Sequence, residues 1–230
     1  MSARRLSYRV KLALFLLCAI AILFLADTAY QALNTLSRLK AVEAERDQWQ
    51  RPSDVIQALD LKPGNVVVDL GCGSGYFTLK LSAPVGQNGR VLAEDIRRLP
   101  LAFLWARTIQ RGQHNISIVH SDPNDPHLPI QSVDAVLIAN TYHEFENSQA
   151  ILLHLVRSLV SGGRLVVVDR EPRSVAQGSI GTAAEYHEVS SEQVENELRH
   201  TGLEIVNRQD RFIQNDPLNE TWWIITARKP

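Results

Sequence analysis

The feature that most constrains this chain is the run Val66-Val67-Val68-Asp69-Leu70, which empties directly into glycines at 71, 73 and 75. A short, nearly continuous apolar segment is what a parallel strand buried on both faces requires. Glycines at alternate positions let the backbone turn tightly and approach a ligand closely, and a helix that follows presents unpaired N–H groups to a carboxylate. In open α/β sheets ligands bind beyond the carboxyl ends of the strands, so the residues after each strand are the ones to read.

Downstream of this loop the hydrophobic period alternates. Helix is expected over Tyr76–Ala83, Leu99–Arg111 and Ser148–Val160, and strand over Arg90–Glu94, Ile116–His120, Val133–Ala139 and Arg164–Asp169. Alternation of this kind predicts a parallel sheet covered by helices on both faces. The tail changes character. After a polar stretch, Glu171–Ser190, and a helix, Ser191–Thr201, two strands (Glu204–Phe212 and Thr221–Arg228) joined by the loop Asn215–Asn219 predict an antiparallel edge hairpin. Trp222 and Trp223 should then point to opposite faces. Upstream, Ser53 is a candidate N-cap for a short helix, Asp54–Ala58.

The amino terminus has a composition of its own. Arg4, Arg5, Arg9 and Lys11 precede Leu12–Ala26, fifteen residues whose only polar side chain is the thiol of Cys18. This is either a secretory signal peptide, which would make the chain secreted or periplasmic, or a single membrane-spanning anchor. Val10–Ala29 reaches the length of about 20 residues that a span needs, if Lys11 and Asp27 sit at the interfaces. A retained anchor is the preferred reading. The expected organisation is an anchor at 1–29, a juxtamembrane helix and linker at 30–52, with leucines spaced three apart, and an α/β domain at 53–230. The basic excess before the run puts the N-terminus in the cytoplasm and the domain across the membrane.

Composition excludes other classes. With 24 basic and 25 acidic residues the net charge is −1, so nothing asks for nucleic acid as a partner. The two cysteines form no CxxC pair, and no zinc or thioredoxin-type motif exists.

Further detail separates the candidate ligands of the glycine loop. A dinucleotide fingerprint would need its third glycine at position 76, which is tyrosine, and Asp69 would repel a pyrophosphate while suiting an ammonium group. No Gly-Lys-Ser/Thr follows, which removes the Walker pattern. After the second strand comes Glu94-Asp95-Ile96. Asp95, 20 residues past Gly75, has the spacing of an acid that accepts both ribose hydroxyls, and Glu94 is its neighbouring alternative. After the third strand comes Ser121-Asp122, where an acid can accept from an adenine amino group. After the fourth comes Asn140-Thr141-Tyr142-His143-Glu144.

These pieces, VVVDLGCGSGYFT, GRVLAEDI, the Ser121-Asp122 pair, LPIQSVDAVLIANTYHEF and LVSGGRLVVVD, resemble the class I S-adenosylmethionine-dependent methyltransferases over most of residues 53–230. The nearer resemblance is to the bacterial small-molecule branch that includes ubiquinone/menaquinone-type and arsenite-type enzymes, without the cysteine set of the latter. The resemblance implies a Rossmann-like sheet of seven mostly parallel strands with an antiparallel C-terminal hairpin, and S-adenosyl-L-methionine as cofactor. It implies Asp69, Gly71, Gly73 and Gly75 around the methionine moiety, Asp95 at the ribose and Asp122 near the adenine, with Cys72, Ile96 and Asn140 completing the candidate cofactor set.

Methyl transfer is largely alignment of two bound reactants, and a base is needed only where the acceptor must lose a proton. His143 and Glu144, at the mouth of the fourth strand, are the catalytic candidates, and a structural role for each is the alternative. Tyr-His-Glu recurs at 186–188, but local metal-ligand spacing is absent and no metal is expected. The expected partner is a small, lipophilic methyl acceptor, reached from the membrane. The competing readings are a non-catalytic binding module that keeps the fold, and a nicotinamide-dependent oxidoreductase. Topology adds a tension, because a domain beyond the membrane lies away from the cytosol where S-adenosylmethionine is made.

Overall fold

The computed structural model describes residues 8–172, 189–214 and 220–230. Arg4, Arg5, the second Tyr-His-Glu at 186–188 and the loop 215–219 lie outside the described residues. The chain divides into two compact units, Met1–Arg46 and Asp47–Pro230.

The first unit consists, among the described residues, of one helix, α1, whose full span is Tyr8–Trp49. The apolar run and the helix expected from Tyr30 are thus a single element. No proline or glycine lies within it, so nothing interrupts its hydrogen-bond ladder. Its apolar stretch has a mean hydropathy of 2.5 over 18 residues with none of it buried, long and apolar enough to cross a membrane, a property that N-terminal signal sequences share.

The second unit is built on a seven-stranded sheet. Its strands are β1 (Val66–Leu70), β2 (Arg90–Asp95), β3 (Ile116–His120), β4 (Val133–Ala139), β5 (Leu159–Arg170), β6 (Glu204–Ile213) and β7 (Trp222–Arg228), in the order β3-β2-β1-β4-β5-β7-β6. The first five are parallel, and β7 runs antiparallel to both β5 and β6. The alternation predicts the parallel part and the change of character in the tail predicts the antiparallel hairpin, and together they make the seven-stranded Rossmann-like sheet that the resemblance implies. Strand order reverses between β1 and β4, which makes their carboxyl ends the place where a crevice opens.

Three helices, α2 (Pro52–Ala58), α3 (Thr78–Val85) and α4 (Arg98–Arg111), cover one face, and α5 (Ser148–Ser158) and α6 (Ser191–His200) cover the other. The sheet's inner residues divide accordingly. Val68, Ile138, Leu165 and Val167 pack with Leu152, Leu155 and Leu198, whereas Val67, Leu137, Val166 and Val168 pack with Val55, Phe77 and Leu81. Each fully buried leucine or valine here contributes roughly 1.5–3 kcal/mol relative to exposure. Trp222 and Trp223 take opposite faces, and both are core residues. Trp222 packs on Trp49, ring centroids 5.7 Å apart, while the Trp223 indole N–H donates to the carbonyls of Arg170 (3.2 Å) and Val189 (3.1 Å).

Several boundaries differ from expectation. Ser53 is not an N-cap; α2 starts two residues earlier than expected, on Pro52, whose fixed φ suits a first helical position, behind Arg51 at φ 52° with no side-chain cap. Helix α3 starts at Thr78 and carries Pro84 near its end. Strand β5 begins at Leu159, directly after α5, so its antiparallel and parallel partners hold a longer ribbon than the apolar run alone suggests. No helix joins β3 to β4. Residues 121–132 cross there as a loop, and it is this loop that closes the crevice.

Candidate active site

The glycine loop is folded back onto β2. The backbone N–H groups of Gly71 and Cys72 both donate to the carbonyl of Glu94, at 2.8 and 2.9 Å, and Gly73 N–H donates to Asp95 Oδ2 at 2.8 Å. Gly71 has φ +72°, and a Cβ there would collide with the Thr141 side chain. Gly73, at φ +54°, is the reverse case: nothing lies within 4 Å of where its Cβ would stand, so the loop opens on space at that residue. Asp69 is buried and takes the Thr78 hydroxyl, which ties the end of β1 to the start of α3. Cys72 is also turned inward, packed with Leu79, Leu101 and Leu104. Burial, with Asp69 and Asp95 nearby, pushes its thiol pKa up, so it is no nucleophile and offers a ligand its backbone only.

Asp95 is almost fully buried at the end of β2, with Oδ1 accepting from both the backbone N–H and the guanidinium of Arg97. A cavity of about 140 Å³ adjoins it, lined by Leu70, Gly71, Asp95, Ile96, Asp122, Thr141, Glu144 and Ile151 among others. Asp122 enters that lining from the β3–β4 loop, its carboxylate 2.9 Å from His127 Nε2. Thus Gly71, Asp95, Ile96 and Asp122, chosen from separate strand ends, meet around one cavity. Asp69, Cys72, Gly73, Gly75, Asn140 and His143 are not among the residues that line it. Asn140 sits at φ +57°, a strained position for a residue with a Cβ, and its Oδ1 is buried without a hydrogen-bond partner. An orphaned acceptor beside an open glycine loop fits a ligand that brings a donor, as the ammonium end of S-adenosylmethionine would.

Glu94 is the adjacent acid that spacing could not separate from Asp95. Its side chain points to the face where the β3–β4 loop replaces a helix; it is 1% exposed and its Oε2 has no partner. Burial, and next the Asp125 carboxylate, raise its pKa to about 8.

His143 and Glu144 belong to one 3-10 turn, Tyr142–Glu144, yet their surroundings differ sharply. Tyr142 anchors the turn with a buried ring and a hydroxyl donating to Glu197. The His143 side chain is 8% exposed, and its Nδ1 lies 2.8 Å from Oδ1 of Asp169, which is itself fully buried at the end of β5. Its other ring nitrogen, Nε2, lies 3.2 Å from Nη2 of Arg170. A guanidinium can only donate, so Nε2 is the acceptor and Nδ1 carries the proton toward Asp169. Glu144 is about half exposed and 3.9 Å from His143 Nε2. Asp169 and Arg170 were missed from sequence, although the acid ending Arg164–Asp169 was the available signal: a further strand-end carboxylate, read only as the end of an apolar run. No group of three or more metal-ligating side chains comes together among the described residues.

Residues 68–167 match a family described as a methyltransferase domain. The chain is 30% identical over 134 residues to the ubiquinone/menaquinone biosynthesis C-methyltransferase of Azotobacter vinelandii, covering 57% of this chain and 52% of that one. It is 25% identical over 140 residues to the demethylmenaquinone methyltransferase of Shouchella clausii, covering 61% and 57%. The chain therefore spans about half the length of the curated relatives it matches. Among solved structures, a SAM dependent methyltransferase from Aquifex aeolicus superposes with a TM-score of 0.68 at 22% identity, covering 83% of this chain and 96% of that one. The chain thus carries a methyltransferase-domain match over residues 68–167, shares the fold of a SAM dependent methyltransferase, and is similar in sequence to the ubiquinone/menaquinone-type C-methyltransferases.

Proposed function

We propose that the chain transfers a methyl group from S-adenosylmethionine to a small lipophilic acceptor, and that α1 is a retained anchor holding the domain at a membrane. The observation that carries the reading is the juxtaposition of an open glycine loop with a buried His–Asp pair, at the carboxyl ends of the neighbouring strands β1, β4 and β5. The quinone-type relatives and the apolar helix support the lipophilic acceptor, since anchoring raises the local concentration of a bilayer-dissolved molecule.

In this reading Gly71–Gly75 and the Asn140 Oδ1 hold the amino-acid end of the cofactor, Asp95 its ribose and Asp122 its adenine, while Ile96 offers an apolar wall. The cofactor supplies an electrophilic methyl on a sulfonium. Asp95 already serves the loop and Arg97, so its geometry is set before any ligand arrives. His143 Nε2 accepts the acceptor's proton once the Arg170 guanidinium moves off it toward Glu220, whose carboxylate is 3.7 Å from Nη1. Asp169 keeps the imidazole in the required tautomer and stabilises the imidazolium. Glu144 is a wall residue.

Calorimetry of the full chain in detergent with S-adenosylhomocysteine, followed by a labelled-methyl assay on membrane lipid extracts, tests this. Binding together with label in the organic phase is expected. Absence of binding sinks the cofactor assignment, binding without turnover on any fraction favours the non-catalytic module, and label confined to aqueous products sinks the lipophilic acceptor.

A further inference from the structure

Helix α4 turns an apolar face to solvent. Outside α1, seven large apolar side chains are exposed among the described residues, and four of them gather here: Ile96 (50%), Leu99 (69%), Trp105 (61%) and Ile109 (59%). On α4 itself Leu99, Ala102, Trp105 and Ile109 fall along one side of the helix. The opposite side is committed to the core through Leu101, Leu104 and Thr108, and Arg107 there donates to the Ser74 carbonyl behind the glycine loop. A helix flanking a parallel sheet normally puts charge outward, so this one is apolar on two sides.

The charges on this helix and its flanking residues in sequence are all of one sign, and the carboxylates nearest its entry are Asp95, paired with Arg97, and Glu144 on the cavity wall. From Ile96 to Ser121 there is no aspartate or glutamate, while arginines stand at 97, 98, 107 and 111. Arg98 is exposed in the first turn, at the positive end of the helix dipole, where an arginine is unfavourable unless an anion is near. Arg111 closes the other end.

We propose that this face docks on an anionic lipid surface, with Leu99, Trp105 and Ile109 entering the headgroup–acyl boundary and Arg98, on the same side of the helix, meeting lipid phosphate. An apolar stripe with an indole and an exposed arginine at its entry, on a helix without a carboxylate, is the pattern of an interfacial helix. The same chain carries a helix long and apolar enough to cross a bilayer, which supplies the surface. A second copy is the poorer occupant, because pairing two such stripes would bring Arg98 of each together with no carboxylate on either helix to receive it. Ile96 and Arg97, immediately before the helix, also line the cavity, so docking brings the cavity mouth toward the lipid. The inference rests on the membrane proximity proposed above and is independent of methyl transfer.

The test uses the full chain with Cys18→Ser, a nitroxide at Ile109→Cys and a reference label at Glu192→Cys on α6, which packs on the opposite face of the sheet. Each is reconstituted in phosphatidylcholine vesicles with and without phosphatidylglycerol, and spin-label access to oxygen and to a water-soluble nickel complex is compared. The label at 109 should favour oxygen in the anionic vesicles and the label at 192 should favour nickel. Arg98→Gln should weaken the anionic preference by about fivefold, and Arg111→Gln, at a position on the core-facing row, should weaken it less. A label at 109 as nickel-accessible as that at 192 in both vesicle types overturns the docking face and leaves the anchor standing. Failure of the chain to associate with vesicles overturns both. Protection of position 109 from both reagents already in detergent points to a protein occupant and also overturns the proposal.

Discussion

The two halves of the site are made in different ways. The half around Asp69–Gly75 and Asp95 is largely main chain: the amides of Gly71 and Cys72 donate to the Glu94 carbonyl and that of Gly73 to the Asp95 carboxylate, while Asp69 takes the Thr78 hydroxyl. The half around His143 is side chain on side chain, an imidazole between a buried carboxylate from β5 and a guanidinium from the next residue. A main-chain site is rigid because the fold itself would have to change to alter it. A side-chain site is held by a few pairings and can be retuned by single substitutions.

The contrast can be broken at its strongest point first. Gly71→Ala puts a methyl against Thr141 at a left-handed φ, and should lower S-adenosylhomocysteine affinity by about 100-fold, read by calorimetry. Unchanged affinity would show that the loop yields. Asp169→Asn keeps the shape but removes the charge facing His143, and should cut kcat by about 30-fold with cofactor affinity nearly intact. An equal fall in affinity would mean the two halves are one unit.

Glu94 separates them by pH. Its folded-state pKa, raised to about 8, lies above that of the unfolded chain, so native Glu94 stays protonated where the unfolded residue has ionised. Stability is therefore full below about pH 4.5 and falls as pH rises toward 8. Glu94→Gln should flatten that fall and add on the order of 2 kcal/mol at pH 8, measured by denaturant titration. A steeper loss would mean the carboxylate has a native partner. Thr78→Val, which strips a donor from buried Asp69, should weaken cofactor binding by about tenfold. The smallest effect belongs to Glu144→Gln, with less than about threefold in kcat for an exposed carboxylate 3.9 Å from the imidazole. A loss matching that of His143→Ala would make Glu144 the base instead.

The same division explains what was legible beforehand. The strands could be read because buried parallel strands are runs of Val, Leu and Ile, whereas their order, with the reversal between β1 and β4, came only from the structure. The loop could be read because its parts lie within ten residues of sequence, and Asp95 and Asp122 because each ends a strand. The His143–Asp169 pair could not, since it spans 26 residues and forms only when β4 and β5 align in register, Ala139 opposite Val168. Nor could the split between Glu94 and Asp95, neighbours that a strand sends to opposite faces. Which face carried a helix and which only a loop decided their fates.

Trp223 has a consequence for how such a protein can change. Its indole N–H holds the carbonyls of Arg170 and Val189 together, and Ser191 N–H reaches the Glu171 carboxylate at 3.4 Å alongside. The chain thus departs from the sheet and rejoins it at a single stapled point. Closing a loop on such a point grows more expensive only logarithmically with its length, about 0.6 kcal/mol for each doubling. The sheet is consequently held shut at that point by one indole, and its stability should depend little on the length of chain between those two residues.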